Sequence, residues 1–223
     1  MLRAIFYKEW LKTSRYYAVA VLLSLGFVGF VLSNFFRAAR LKGIAHLWEV
    51  MLLRDAVFID LLQFVPLIVG LLFAVVQYAP EMQRKCLKLT LHLPYSELKM
   101  IGAMLLFGVL LLGALSTVSL GILFAAFRSV LAPELVRHIL LTAAPWYVAG
   151  MVAYLLAAWV CLEPTWRRRL LCGIVAACVL RLFYLAPAPE AYGGFLPWLS
   201  LLGLATASWA WWSVVRFKEG RQD

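Results

Sequence analysis

Long runs with few charged side chains alternate with short polar stretches along this chain. The apolar runs fall near residues 17–36, 57–79, 100–127, 139–162, 170–187 and 195–215. Each is close to or above the roughly 20 residues that an α-helix needs to cross the ~30 Å hydrocarbon core of a bilayer. The pattern predicts an all-α integral membrane protein with six transmembrane helices, forming a single transmembrane domain over 1–223.

Two further segments qualify that picture. In the leader, residues 1–16, Leu2, Phe6, Trp10, Thr13 and Tyr17 share one helical face and Lys8, Lys12 and Arg15 another. This spacing suits an N-terminal interfacial helix, cations toward anionic lipid and aromatic face in the acyl boundary; the plainer alternative is a basic flank that only orients the first span. With no A-x-A-like cleavage site after it, the first span is expected to be retained rather than removed as a signal. Before the last span, Pro187, Pro189, Gly193, Gly194 and Pro197 interrupt a stretch that stays apolar around Phe183, Tyr184, Phe195 and Trp198. No regular helix crosses that many breakers. The expectation is a re-entrant outer segment over 183–197, or else an outer loop with interfacial aromatics.

Composition agrees with a lipid solvent. Of the 223 residues, 65% are apolar, and mean hydropathy is +0.89, against roughly 45–50% apolar in soluble domains. Such a chain is neither a soluble enzyme, a disordered tail nor a disulfide scaffold. The net charge of +10 would suit nucleic acid as a partner, but the basic residues sit between apolar runs, so they read as topology signals and membrane lipid contacts, with no nucleic acid expected. Six spans place both termini on one side. That side receives Arg3, Lys8, Lys12, Arg15, Arg84, Lys85, Lys88, Lys99, Arg167, Arg168, Arg169, Arg216, Lys218 and Arg221. The opposite side receives half as many: Arg37, Arg40, Lys42, Arg54, Arg128, Arg137 and Arg181. Both termini are therefore expected in the cytoplasm, in a plasma (bacterial inner) membrane.

The longest polar stretch between spans is 81–99, EMQRKCLKLTLHLPYSELK. Leu87, Leu89, Leu91 and Leu93 alternate with Lys88, Thr90 and His92, a period of two that favours a strand. A lone strand at a membrane surface would leave its edges unpaired, so a short helix or turn docked on a partner is expected instead. Pro94 ends the element, and Ser96 with Lys99 leads into the third span.

This layout resembles the permease subunits of type-2 ABC transporters. Their leader carries a basic K/R-E-x-x run, here within YKEWLKTSRYY, and their first cytoplasmic loop an E-x-x-[RK] element followed by spaced leucines and a P-x-S end. The matching positions here are Glu81, Arg84, Lys85, Leu87, Leu89, Leu91, Leu93, Pro94 and Ser96. Where a Gly-Thr pair often follows the basic residue in that family, this chain has Cys86 and Lys88. The resemblance, to the exporter-type members of that family, implies a translocation pathway formed by a dimer, with a second permease copy or homologue, coupled to separate ABC ATPase subunits. It assigns ATPase coupling to Glu81, Arg84, Lys85, Leu87, Leu89, Leu91, Leu93 and Pro94. Glu163, Arg167, Arg168 and Arg169 form a second coupling loop, or a triplet of arginines obeying the positive-inside tendency. The chain contains no G-x-x-x-x-G-K-[ST], so no cofactor is expected on it, and ATP and Mg belong to the partner ATPase.

Asp60 and Arg181 fall inside predicted spans, where an ionisable group costs roughly 2.5–3.5 kcal/mol at the centre on insertion scales unless paired or hydrated. They are pathway candidates, facing a vestibule or each other, or snorkelling to the interface. His46, His92 and His138 read as loop residues with no metal site, and Cys86, Cys161, Cys172 and Cys178 lack paired spacings. No intramembrane catalytic motif is found, so an enzyme is not expected. The competing readings are a non-transporting membrane scaffold or assembly subunit and, behind it, an intramembrane enzyme.

Overall fold

The structure, a computed structural model, describes residues 2–54, 57–83, 96–186 and 188–218, and all regular secondary structure in them is helical. In chain order the helices are α1 (Leu2–Lys42), α2 (Ile44–Arg54), α3 (Val65–Gln83), α4 (Glu97–Arg128), α5 (Pro133–Leu162), α6 (Trp166–Arg181), α7 (Leu196–Ala205) and α8 (Ala207–Lys218). Short 3₁₀ turns precede α3 at Asp60–Leu62 and follow α6 at Leu182–Tyr184. Among the described residues, five helical stretches are long and apolar enough to cross a membrane: Leu2–Lys42, Asp60–Gln83, Glu97–Arg128, Pro133–Leu162 and Leu196–Lys218. This architecture is compatible with a multi-pass membrane protein.

Local sequence accounts for the boundaries. Gly43 ends α1 in the left-handed conformation (φ 82°), its N–H bonded to the Ala39 carbonyl, an arrangement that a Cβ would strain. Pro66 and Pro133 lie in the first turns of α3 and α5, where a missing N–H removes no helical bond. Between α7 and α8, Thr206 breaks the last predicted span in two. Its N–H and its hydroxyl both turn back to the Gly203 carbonyl, at 3.1 and 2.6 Å.

Several expectations need correction. The leader continues α1 without a break, instead of forming a separate helix over 1–16. Its aromatic face is largely consumed by packing: Phe6 meets Phe107 edge-on at 5.5 Å, Tyr17 meets Phe73 at 6.1 Å and Thr13 is fully buried, leaving Leu2 and Trp10 exposed. The fifth predicted run, 170–187, folds as a 16-residue helix starting earlier, at Trp166, and ending at Arg181; its four arginines, three of them in the first turn, lower its hydropathy. In the segment before the last span, the described residues form a 3₁₀ turn over Leu182–Tyr184 and successive turns up to Phe195. His46 and His138 lie in α2 and α5, not in loops. The segment between the first two spans holds α2, whose Met51 and Trp48 pack in one cluster with Val28, Val31 and Phe35 of α1.

α3 and α5 form the most extensive helix pair. They cross with backbones in contact at Gly70 and Gly150: a Cβ on Gly70 would strike the Gly150 carbonyl, and one on Gly150 the Pro66 carbonyl. Small residues permit that approach, and dispersion then holds the pair where no hydrophobic force between helices exists. One core half is built by α1, α3, α4, α5 and α8 around Phe73, Tyr78, Met104 and Tyr154. The other surrounds Phe35, Ile59, Leu62, Leu123 and Phe127, with Phe35 and Phe127 edge-to-face at 4.9 Å.

The start of α1 and the end of α8 lie at the same end of this bundle. Lys8 and Lys12 near the start of α1 bind Glu81 near the end of α3, while near the end of α8 Arg216 binds Glu163 and Lys218 binds Glu97. This is called the loop end, since α3 stops and α4 starts there. From it α6 runs to the far end, where the Tyr184 hydroxyl donates to the Gln63 carbonyl at 3.1 Å and the Tyr184 and Phe64 rings stack at 5.2 Å.

Candidate functional site

Polar side chains inside the bundle are concentrated at the loop end. In α1, Lys8 and Lys12 stand four residues apart and Lys12 lies three beyond Glu9, so one helical face presents all three. Opposite them Glu81 projects from the last turn of α3. Lys12 Nζ donates to Glu81 Oε1 at 2.9 Å and sits 2.8 Å from Glu9 Oε2. Lys8 Nζ lies 2.9 Å from Glu81 Oε1 and 3.6 Å from Glu9 Oε1. Glu9 is fully buried and Glu81 is 3% exposed, so two carboxylates and two ammonium groups form a locally neutral cluster. Buried carboxylates persist only with such pairing.

One turn deeper, the buried polar face of α3 continues with Gln77 and Tyr78. Gln77 Nε2 donates to the Met104 carbonyl of α4 at 3.1 Å, and its Oε1 accepts the Tyr154 hydroxyl of α5 at 2.8 Å. The Tyr78 and Tyr154 hydroxyls are 3.1 Å apart. Hydrogen bonds therefore join α3, α4 and α5 one turn inside the ion-paired cluster that joins the leader to α3.

A second cluster lies at the α5–α6 turn. Glu163 is 1% exposed. Its Oε2 accepts the Ser213 hydroxyl at 2.5 Å, Arg216 Nη1 is 3.4 Å from its Oε1, and its backbone carbonyl accepts Arg169 Nη2 at 2.8 Å. Arg169 also lies over the Trp166 ring at 5.8 Å. The side chain of Glu163 is thus committed to α8 inside the protein, whereas Arg167 and Arg168 are exposed.

Of the residues expected to couple to a partner, Glu81 is described and sits in the first cluster. Arg84, Lys85, Leu87, Leu89, Leu91, Leu93 and Pro94 lie outside the described residues. Asp60 and Arg181 are both exposed, and no ion pair joins them among the described residues. No group of three or more His, Cys, Asp or Glu side chains converges among the described residues. Sequence reasoning missed Gln77, Tyr154, Ser213 and the burial of Glu9. A signal existed: Gln77 and Glu81 are four apart in an otherwise apolar helix, which marks a polar stripe facing protein. In comparisons with known proteins, no family model, curated protein or solved structure matches this chain.

Proposed function

We propose that this chain is the membrane-spanning permease subunit of an ATP-driven ABC exporter. It works as a dimer with a second copy or a homologue, and separate ATPase subunits carrying ATP and Mg drive it from the cytoplasm. The observation that carries the reading is the ion-paired joint of Lys8, Lys12 and Glu81. Glu81 opens the 81–99 segment, so a displacement of that segment by a docked partner is passed to α1 and α3 together. Rigid transmission of this kind is what a motor acting from outside the membrane requires.

Six membrane crossings are part of the reading. Two chain ends on one side demand an even number, and the contacts of α6 at both bundle ends supply the sixth. Its 16 residues rise ~24 Å, and the following 3₁₀ turn adds ~6 Å, which together match the hydrocarbon thickness. The loop end is then cytoplasmic, in a plasma (bacterial inner) membrane. Leu87, Leu89, Leu91 and Leu93 enter a groove of the ATPase, rimmed by Arg84 and Lys85, with exposed Arg167 and Arg168 as the smaller second contact.

The test is affinity purification of the tagged full chain from its native membrane. A P-loop ATPase is expected to co-purify with the unaltered chain and to be lost from the Leu89→Asp/Leu91→Asp variant, while Arg37→Ala at the far end retains it. Retention by the double variant overturns the assignment of the loop. Absence of any ATPase from the unaltered chain favours the scaffold reading.

A further inference from the structure

A cavity of about 290 Å³ opens beside the Glu163 cluster, between α5, α6 and α8. Three tryptophans wall it, Trp159, Trp209 and Trp212, and Glu163, Ser213 and Arg216 supply its polar side. The Trp159 and Trp209 rings lie 4.8 Å apart, while Trp212 is 67% exposed.

The hydrogen bonding of Arg216 is incomplete. Its Nε and Nη1 are buried and make no hydrogen bond among the described residues. The one carboxylate beside it, Glu163, already accepts Ser213 through Oε2, and Thr165 at 3.4 Å through Oε1. A guanidinium stays charged under all ordinary conditions and presents its donors as a planar fork, so the natural complement is an oxygen-rich anion. Charge in the neighbourhood favours the same sign of ligand. Against the single carboxylate stand Arg216, Arg169 held on the Glu163 carbonyl with its own Nε unbonded, and exposed Arg167 and Arg168. The tryptophans add a second requirement. Indole rings at the end of a membrane-crossing bundle match a ligand that is polar at one end and apolar at the other, which a free inorganic anion is not. The volume is at the lower limit of small-molecule sites, enough for a headgroup whose chains remain in the surrounding lipid.

We propose that this cavity binds an anionic phospholipid of the adjacent leaflet. Its phosphodiester is held by the Arg216 fork, and its glycerol and first methylenes lie along Trp159, Trp209 and Trp212. The site is independent of the transporter reading, since it stands on the geometry of α5, α6 and α8 alone.

The experiment is native mass spectrometry of the full chain, delipidated in detergent and titrated with 16:0–18:1 phosphatidylglycerol, with melting temperature measured on the same samples. One retained phosphatidylglycerol per chain is expected. Retention falls about tenfold in Arg216→Gln, the effect of losing one charge-assisted contact, and falls also in Trp212→Ala, which removes an indole wall, whereas Arg181→Gln at the far end leaves it unchanged. Should Arg216→Gln fail to fold because Glu163 loses its counter-charge, the neutral pair Glu163→Gln/Arg216→Gln and the exposed Trp212→Ala carry the test. Phosphatidylglycerol retention unchanged in folded variants overturns the proposal, as does absence of retention by the unaltered chain. Inorganic phosphate is the second arm: if it raises the melting temperature as much as phosphatidylglycerol does and displaces the lipid, the site takes a free anion, and the lipid assignment fails.

Discussion

Lys12 and Lys8 both contact Glu81 at 2.9 Å, yet the structure assigns them very different weights. Lys12 is 20% exposed and touches two buried carboxylates, Glu9 and Glu81. Lys8 is 41% exposed, and its contact with Glu9 is the longer, at 3.6 Å. Replacing Lys12 by Met leaves two carboxylates with one half-exposed cation between them. Removing one partner from a buried pair costs about 3–5 kcal/mol, and the remaining Lys8 places the expected loss at the lower limit, about 3 kcal/mol. Replacing Lys8 by Met removes a partly solvated cation, and exposed pairs contribute about 1 kcal/mol at most. Melting of the purified chain in lipid nanodiscs, followed by tryptophan fluorescence, is expected to drop by about 6–12 °C for Lys12→Met and about 4 °C or less for Lys8→Met, scaling as for soluble chains of similar length. The Lys12→Met/Glu81→Gln double variant restores local neutrality, so it should be more stable than the two single losses predict, with a coupling of about 1–3 kcal/mol. If Lys8→Met is as damaging as Lys12→Met, or if the double variant is additive, the neutral-cluster argument is refuted.

The backbone contact of α3 with α5 makes Gly70→Val destabilising by about 1–3 kcal/mol or more in the same melting assay, whereas Gly113→Ala, with nothing within 4 Å of the added Cβ, changes stability by about 1 kcal/mol or less. Tyr154→Phe strips the Gln77 Oε1 and the Tyr78 hydroxyl of a shared partner and should cost about 1–3 kcal/mol, leaving the purified chain helical by circular dichroism. With the native cysteines replaced, Arg168→Cys should react with an impermeant maleimide only after the cells are opened, while His46→Cys, at the far end, should react in intact cells. Labelling of both from one side would defeat the six-crossing topology.

The positions of α1, α4 and α5 were readable because each carries an apolar run longer than the bilayer needs, and no soluble core offers a competing explanation for it. Finer features followed other rules. The run starting at residue 57 folds as a loop and a 3₁₀ turn before α3, since Pro66 suits a first turn and the helix starts at Val65. The sixth run breaks at Thr206, where a side-chain bond to the Gly203 carbonyl competes with the helical ladder. Averaged hydropathy is blind to such competition. It is equally blind to partners: Lys12 and Glu81 are 69 residues apart, Gln77 and Tyr154 77 apart, and Glu163 and Ser213 50 apart. What the sequence does show is a polar side chain on a face that must be buried. Which group satisfies it is decided by helix packing, for which a single sequence carries no periodic signal.

That distinction bears on the orientation argument itself. Several basic residues on which the proposed cytoplasmic placement of the loop end rests are paired in the folded chain: Lys8 and Lys12 with Glu9 and Glu81, Arg216 with Glu163 and Lys218 with Glu97. At the far end, Arg37, Arg40, Arg128 and Arg181 are exposed and form no ion pair among the described residues. Judged by the basic side chains outside ion pairs among the described residues, the two ends are nearly balanced. Orientation, however, is set by Lys and Arg in short flanks during insertion, with Asp and Glu contributing little, and the pairs at the loop end join segments tens of residues apart that meet only after several helices have been inserted. Under the proposed orientation the lysines of the leader act twice, first as unpaired cations that hold the leader back from translocation and then as counter-charges that make burial of Glu9 and Glu81 tolerable. A neutral cluster in the folded state is consistent with a strong positive bias at the moment of insertion.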